Sequence, residues 1–223
     1  NLHLPSTDET ALRTQLIDAA VRLSARGLLQ ADNGNLSCRL ANGSILITPA
    51  GRRKDRLAPN ELILLDPSGH PVQQTARPSS ELPMHLEAYR QRPDIAAVIH
   101  AHPPCATALT LAGLPFPSDI VYEGLAALGD VPTAPLARPG GPEGARAISE
   151  LILHHDGILL PHHGCLVVGP DIERALVAIE RLEHVAQVFA CAEQLGGARR
   201  LPPEIARGVR DGHRPPPAGA GGQ

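Results

Sequence analysis

The sequence predicts an α/β protein, a three-layer α/β/α sandwich around a mixed, largely antiparallel central sheet. Three observations carry that prediction. Helix-period and strand-period patterns alternate along the chain, as they do when helices cover a sheet. Two short apolar runs, 36–40 and 45–48, flank Asn42-Gly43, a pair suited to a tight primed turn, so an early pairing is antiparallel. Finally, 223 residues with no internal boundary are enough for one large core. The expected layout is one domain over residues 1–210 and a Pro/Gly-rich tail over 211–223 whose composition reads as disordered.

The elements follow in order. Ser6 to Thr10 offers a cap for a helix with Leu12, Leu16, Ala19, Ala20 and Leu23 at helical spacing, closed by Gly27. The hairpin comes next, then a strand at Leu62 to Leu65 ended by Asp66-Pro67-Ser68-Gly69. Ser79-Ser80-Glu81 opens a helix that runs to about Arg92, where Pro93 stops it. Ile95 to Ile99 reads as a buried strand, and Pro103-Pro104 suits the first turn of a helix over about Cys105 to Leu111. Gly113 to Asp130 carries no clear pattern. Glu143 to His154 reads as one helix, followed by strands Ile158 to Leu160 and Cys165 to Val168. Asp171 then caps a long helix, Ile172 to about Gln194, with Leu176, Ile179, Leu182 and Val185 on its inner stripe.

Composition excludes several function classes. The 20 basic and 23 acidic residues give a formal charge of -3, without the basic excess of a phosphate-backbone binder, so nucleic acid is not an expected partner. No run of 18 apolar residues exists, and Asn1 to Pro5 lacks the features of a signal peptide, so a cytoplasmic protein without a membrane partner is expected. Cys38, Cys105, Cys165 and Cys191 never form a Cys-x-x-Cys pair and read as small core residues. Tryptophan is absent and only two tyrosines and two phenylalanines occur, which argues against base-stacking platforms. Lys54 is the sole lysine, so a Schiff-base mechanism would have to use it. As part of Arg52-Arg53-Lys54 it reads as a solvated run, with weak focusing of an anionic substrate as the alternative.

The chemistry concentrates in histidines. His100 and His102 follow an apolar run at period two, so both rings leave one face of a strand end, a few ångströms apart, as a metal requires. A third ligand would complete an open site of the kind zinc uses in catalysis. His162-His163-Gly164 lies between two apolar strands. Adjacent residues on an extended chain point opposite ways, so at most one joins the metal; we take His163, beside the glycine, with His162 as the alternative. Glu81, at a helix start, ordinarily offsets the helix dipole, but beside a metal it can be a fourth ligand that becomes a base when displaced. His85, one turn on, shares its face, with packing as its default role. The hydroxyls of Ser79 and Ser80 and free N–H groups at that helix start make an anion pocket. The turns Asp32-Asn33-Gly34-Asn35 and Thr48-Pro49-Ala50-Gly51 would complete it if they converge there.

From Leu12 to Ala192 these motifs resemble the class II aldolase/adducin family, its L-fuculose-1-phosphate aldolase branch in particular. The resemblance rests on Gly34-Asn35-Leu36-Ser37-Cys38-Arg39, Ile47 to Gly51, Ser79-Ser80-Glu81 with His85 and Tyr89, His100-Ala101-His102 and His162-His163-Gly164, in that order. It implies zinc, with manganese or cobalt as alternatives, held by Glu81, His100, His102 and His163, with Glu81 as proton acceptor and donor. It implies phosphate against Gly34, Asn35, Ala50, Gly51, Ser79 and Ser80, and cleavage of a ketose 1-phosphate to dihydroxyacetone phosphate and an aldehyde through a metal-stabilised enediolate. The family fold is an α/β/α sandwich, usually in a homotetramer with active sites between subunits.

Two departures stand out. Such aldolases use a tyrosine as the acid at the aldehyde oxygen, often helped by a C-terminal tail, and this tail has none, which leaves Tyr122. Ala50 replaces a residue that often bears a hydroxyl. The family also holds epimerases, decarboxylases and dehydratases, and adducin-like members that keep the fold as an interaction module.

Overall fold

A computed structural model describes residues 7–73 and 76–213. Ser6, part of the expected first cap, and residues 214–223 of the expected tail lie outside them. Seven helices and six strands follow in the order α1 (Thr7–Ala25), β1 (Asn35–Arg39), β2 (Ile45–Ile47), β3 (Ile63–Leu65), α2 (Leu82–Gln91), β4 (Ala97–Ala101), α3 (Pro104–Leu111), α4 (Tyr122–Leu128), α5 (Pro142–Ile148), β5 (Gly157–Leu160), β6 (Gly164–Gly169), α6 (Ile172–Gln194) and α7 (Pro203–His213). The strands form one sheet ordered β3-β2-β1-β4-β6-β5, and every neighbouring pair is antiparallel. Among the described residues no helix is long and apolar enough to cross a membrane.

The layers follow from the two-residue period of the strands. Leu36 and Cys38 of β1, Ile99 of β4 and Val167 of β6 face α1, α3, α4 and α6, meeting Leu16, Leu23, Ile179 and Leu182. Ile47 of β2, Val98 of β4 and Val168 of β6 face the other way, against Met84 and Ala88 of α2 and Ile148 of α5. Each such leucine or isoleucine, taken wholly out of water, contributes about 1.5–3 kcal/mol. The Asp171 carboxylate accepts from the Arg174 amide (2.7 Å) and caps α6, as its place before a long amphipathic run predicts.

Four expectations are corrected. The single helix over Glu143 to His154 is α5 followed by a separate 3-10 turn at Leu151–Leu153. Ile148 and Ile152 both enter the core four residues apart, which mimics one helix, while the Ser149 hydroxyl donates to the Arg146 carbonyl and competes with the ladder. The stretch over Gly113 to Asp130 contains α4. Helix α7, opened by Pro203 and packed on α4, was not foreseen, and it carries regular structure past residue 210 to His213. Cys191, expected in the core, is exposed, and Cys105 is only partly buried; all four cysteines are free thiols.

Candidate metal centre

The site grows from the α2-facing side of the sheet, where β1 and β4 place polar residues at positions that are otherwise apolar. Register pairs Asn35 with His100 and Ser37 with Val98, so Asn35, Ser37 and His100 share that face. Two close approaches bring the chain ends together. At Gly34 (φ +74°) a Cβ would lie 2.9 Å from the His100 carbonyl oxygen, and at Gly164 it would lie 2.3 Å from the Ala101 carbonyl oxygen. Only glycine lets the turns before β1 and β6 come this close to β4. Between β5 and β6, His162 takes φ +57°, and its amide donates to the Thr110 hydroxyl (3.1 Å). The left-handed residue turns the chain so that His163, not His162, joins the other two rings.

His100, His102 and His163 form a triangle with ring centroids 4.6 to 4.8 Å apart, and their ligand atoms all lie within 4.8 Å of one another. His100 is wholly buried. Its Nδ1 donates to the Cys165 carbonyl (2.9 Å), and its Nε2 faces His102 Nε2 at 3.0 Å and Glu81 Oε2 at 2.9 Å. Glu81 Oε1 lies 3.7 Å from His163 Nε2. The three imidazole nitrogens are placed so that they could hold one metal ion among them, with the Glu81 carboxylate alongside. Burial pushes His102 down to about 3, with the charges of His100 and His163 acting the same way, so that ring is a neutral donor of electron pairs. Burial likewise lowers His163. For Glu81 burial acts upward, but the bond and charge of His100, the Asn35 amide and the charge of His163 outweigh it, leaving the carboxylate ionised well below its usual range.

Behind Glu81 runs a ladder of buried polar groups. Glu81, His85 and Tyr89 recur every four residues along the inner edge of α2, and Asn35, Ser37 and Arg39 every two along β1, so the two rows interleave. A carboxylate only accepts, so Asn35 Nδ2 donates to Glu81 Oε2 (3.0 Å) and Asn35 Oδ1 accepts from His85 Nε2 (2.5 Å). Burial, reinforced by the charge of His100, lowers His85 to about 3 and keeps it neutral, so its Nδ1 accepts from the Ser37 hydroxyl (2.6 Å). Ser37 in turn accepts from the Tyr89 hydroxyl (2.8 Å), over whose ring the Arg39 guanidinium sits at 5.1 Å. Every donor points toward Glu81.

Beside the histidines opens a cleft of about 270 Å³ lined by Gly34, Asn35, Ala50, Gly51, Ser79, Ser80, Glu81, His102 and His163, with Asp32, Asn33, Lys54, Pro139 and Gly140 completing it. The Thr48–Gly51 turn is held against the segment carrying Ser79 and Ser80 because Pro49 and Pro78 form a β-bridge and the Ala50 amide donates to the Arg77 carbonyl (3.0 Å). Ser79 accepts from the Glu81 amide (3.3 Å). Tyr122, at the start of α4, is 53% exposed and is not among the residues lining this cleft. Lys54 departs from the solvated run expected for it: it is 3% exposed and lines the cleft. The short turn that carries it, Lys54–Arg56, packs on α1, and a charge run in sequence does not reveal that burial.

The profile of the family described as "Class II Aldolase and Adducin N-terminal domain" matches residues 14–190. The chain belongs to the class II aldolase/adducin family. It is 32% identical to a 5-methylthioribulose-1-phosphate/5-deoxyribulose-1-phosphate aldolase of Rhodospirillum rubrum, over 86% of each chain. It is 32% identical to an L-fuculose phosphate aldolase of Escherichia coli over 82% of this chain and 84% of the relative. It is 33% identical to a methylthioribulose-1-phosphate dehydratase of Methylococcus capsulatus over 83% of this chain and 95% of the relative. A solved L-fuculose 1-phosphate aldolase superposes with a TM-score of 0.84 at 30% identity, covering 95% of this chain and 98% of that one. The protein is therefore an enzyme, a lyase of the class II aldolase family, rather than a non-catalytic interaction module.

Proposed function

We propose that this enzyme is a zinc-dependent aldolase that cleaves a ketose 1-phosphate of the L-fuculose 1-phosphate type to dihydroxyacetone phosphate and an aldehyde through an enediolate. The observation that carries this reading is the position of Glu81. Its ionised carboxylate lies 2.9 Å from His100 Nε2, on the wall of a cleft that also presents Ser79, Ser80, Asn35 and the Ala50-Gly51 turn. An acid–base group, a metal donor set and an anion-ready pocket therefore share one cavity.

Glu81, His100, His102 and His163 would hold the ion, and manganese or cobalt would fit the same donors. When bound, a divalent cation there supplies Lewis-acid polarisation of the substrate carbonyl. Gly34, Asn35, Ala50, Gly51, Ser79 and Ser80 hold the phosphate and so set the sugar's C3–C4 bond beside Glu81. Glu81 takes up the proton that the C4 hydroxyl loses as it becomes the aldehyde, cleavage of C3–C4 leaves the bonding electron pair on the dihydroxyacetone phosphate half, and Glu81 returns that proton to C3. The Asn35 amide keeps Oε2 engaged, so the opposite oxygen is the one available for transfer. Tyr122, exposed on the single chain, serves the aldehyde oxygen in a neighbouring subunit's site within a homotetramer. Such a substrate class fits a cytoplasmic enzyme of carbohydrate metabolism.

A second reading keeps the site and changes the bond broken. The Methylococcus relative is named a methylthioribulose-1-phosphate dehydratase, and loss of water from such a substrate needs the same cation and base. Offering L-fuculose 1-phosphate, 5-methylthioribulose 1-phosphate, ribulose 5-phosphate and a phosphorylated oxo-acid side by side separates the readings. The aldolase reading predicts dihydroxyacetone phosphate from the first or second compound. Water loss, epimerisation or carbon dioxide release without dihydroxyacetone phosphate would overturn it.

A further inference from the structure

Lys54 lines the cleft without a part in metal ligation, proton transfer or the serine and glycine turns. Its Nζ donates to the carbonyls of Asp32 (2.5 Å), in the first of the two turns that frame the cavity, and of Arg52 (2.7 Å), directly after the second. An ammonium has three donors, so one N–H is left over. The neighbouring cations are spoken for: Arg52 pairs with Glu61 (2.5 Å) and Arg53 with Asp55 (2.7 Å), both arginines on the surface. Lys54 has neutral carbonyls instead of a carboxylate, and it is the single lysine or arginine among the residues lining the cleft.

A buried ammonium whose bonded partners are neutral carbonyls is unfavourable in the empty protein. Desolvation accordingly lowers its pKa, opposed by the charge of the exposed Asp32. An arrangement that holds such a group in place by two backbone carbonyls makes sense when an anion arrives to complete it. We infer that Lys54 is a binding residue for the substrate's phosphate, its fixed positive charge completing a pocket whose other contributions are neutral hydroxyls, an amide and backbone N–H groups. The inference rests on the phosphate reading of the cleft and names the charge that reading lacked. It also assigns the chain's lone lysine to binding rather than to Schiff-base chemistry.

The test titrates inorganic phosphate calorimetrically into wild type, Lys54→Gln and Lys54→Arg, then compares a ketose 1-phosphate with its unphosphorylated ketose. Glutamine keeps a donor for the carbonyls and removes the charge. Loss of a charged hydrogen bond predicts about 10- to 100-fold weaker phosphate affinity and a matching rise in KM for the phosphorylated substrate, with kcat little changed. Lys54→Arg should recover much of both, and activity on the unphosphorylated ketose should stay within about threefold. Equal phosphate affinity in wild type and Lys54→Gln would overturn the inference, as would equal losses on both substrates, which mark a purely structural lysine. Borohydride treatment with dihydroxyacetone phosphate should leave no adduct on Lys54, and an adduct would also overturn it. If phosphate binding depends on Lys54 but no ketose 1-phosphate is cleaved, the aldolase reading fails and this one stands.

Discussion

The two faces of strands β1 and β4 differ by a shift of one residue and are built on opposite principles. On the α1/α6 side Leu36, Cys38, Ala97 and Ile99 join an apolar cluster. On the α2 side the alternate positions Asn35, Ser37 and His100 carry polar groups as deeply buried as the leucines, each with a hydrogen-bond partner. The first face makes a rigid floor by packing. The second gives up apolar burial to plant a directed polar ladder that ends at Glu81. The comparison teaches that the reactive end of this sheet is anchored from behind, because the β4 backbone carrying His100 is the same backbone that Ile99 fastens to the opposite layer.

Substitutions on the two faces should therefore separate stability from chemistry. The largest effect falls on the polar face: Glu81→Gln should retain metal by elemental analysis yet lower kcat by about a thousandfold or more, since an amide cannot carry the proton. Turnover near wild type would remove Glu81 from the role of base. On the apolar face Leu36→Ala should cost about 2–5 kcal/mol in a denaturant titration while leaving kcat per folded molecule unchanged. A fall in kcat without loss of stability would show that the two faces are not separable.

The smallest expected effect probes the ladder. His85→Phe keeps the ring's bulk but frees the Asn35 amide to turn, and should lower kcat by about tenfold with metal content intact. It should also change the acid response. Burial lowers His85 from 6.5 to about 3, so between those values the unfolded chain binds a proton that the folded one refuses. The corresponding stability is complete above about pH 6.5 and is lost as the pH falls toward 3. Replacing His85 should flatten that part of the stability profile, and an unchanged slope would place the acid sensitivity elsewhere.

Much of this was legible from residue types at fixed spacings. His100-Ala101-His102 after an apolar run needs only the period of a strand to share a face, and Asn42-Gly43 and Asp171 mark a turn and a cap by local chemistry alone. What stayed hidden depends on tertiary placement. Nothing in Arg52-Arg53-Lys54 distinguishes the buried cation from its exposed neighbours, and His85 looked like a packing residue because its partner Ser37 lies 48 positions away. Strand alternation allows only one of His162 and His163 to join, and the neighbouring glycine selects His163, whereas the reason in the fold is a left-handed residue at His162. Helix α4 and the break after Ile148 depend on which core a short amphipathic stretch meets, information that local patterns do not hold.

The central claim is that the three imidazoles and Glu81 grip one divalent ion. Elemental analysis of the purified wild type beside His100→Ala and His102→Ala tests it most directly. The account predicts about one equivalent of zinc, or of manganese or cobalt, per wild-type chain, and loss of both metal and activity in the variants. A wild-type enzyme that is active with no stoichiometric metal, or histidine variants that keep it, would contradict it.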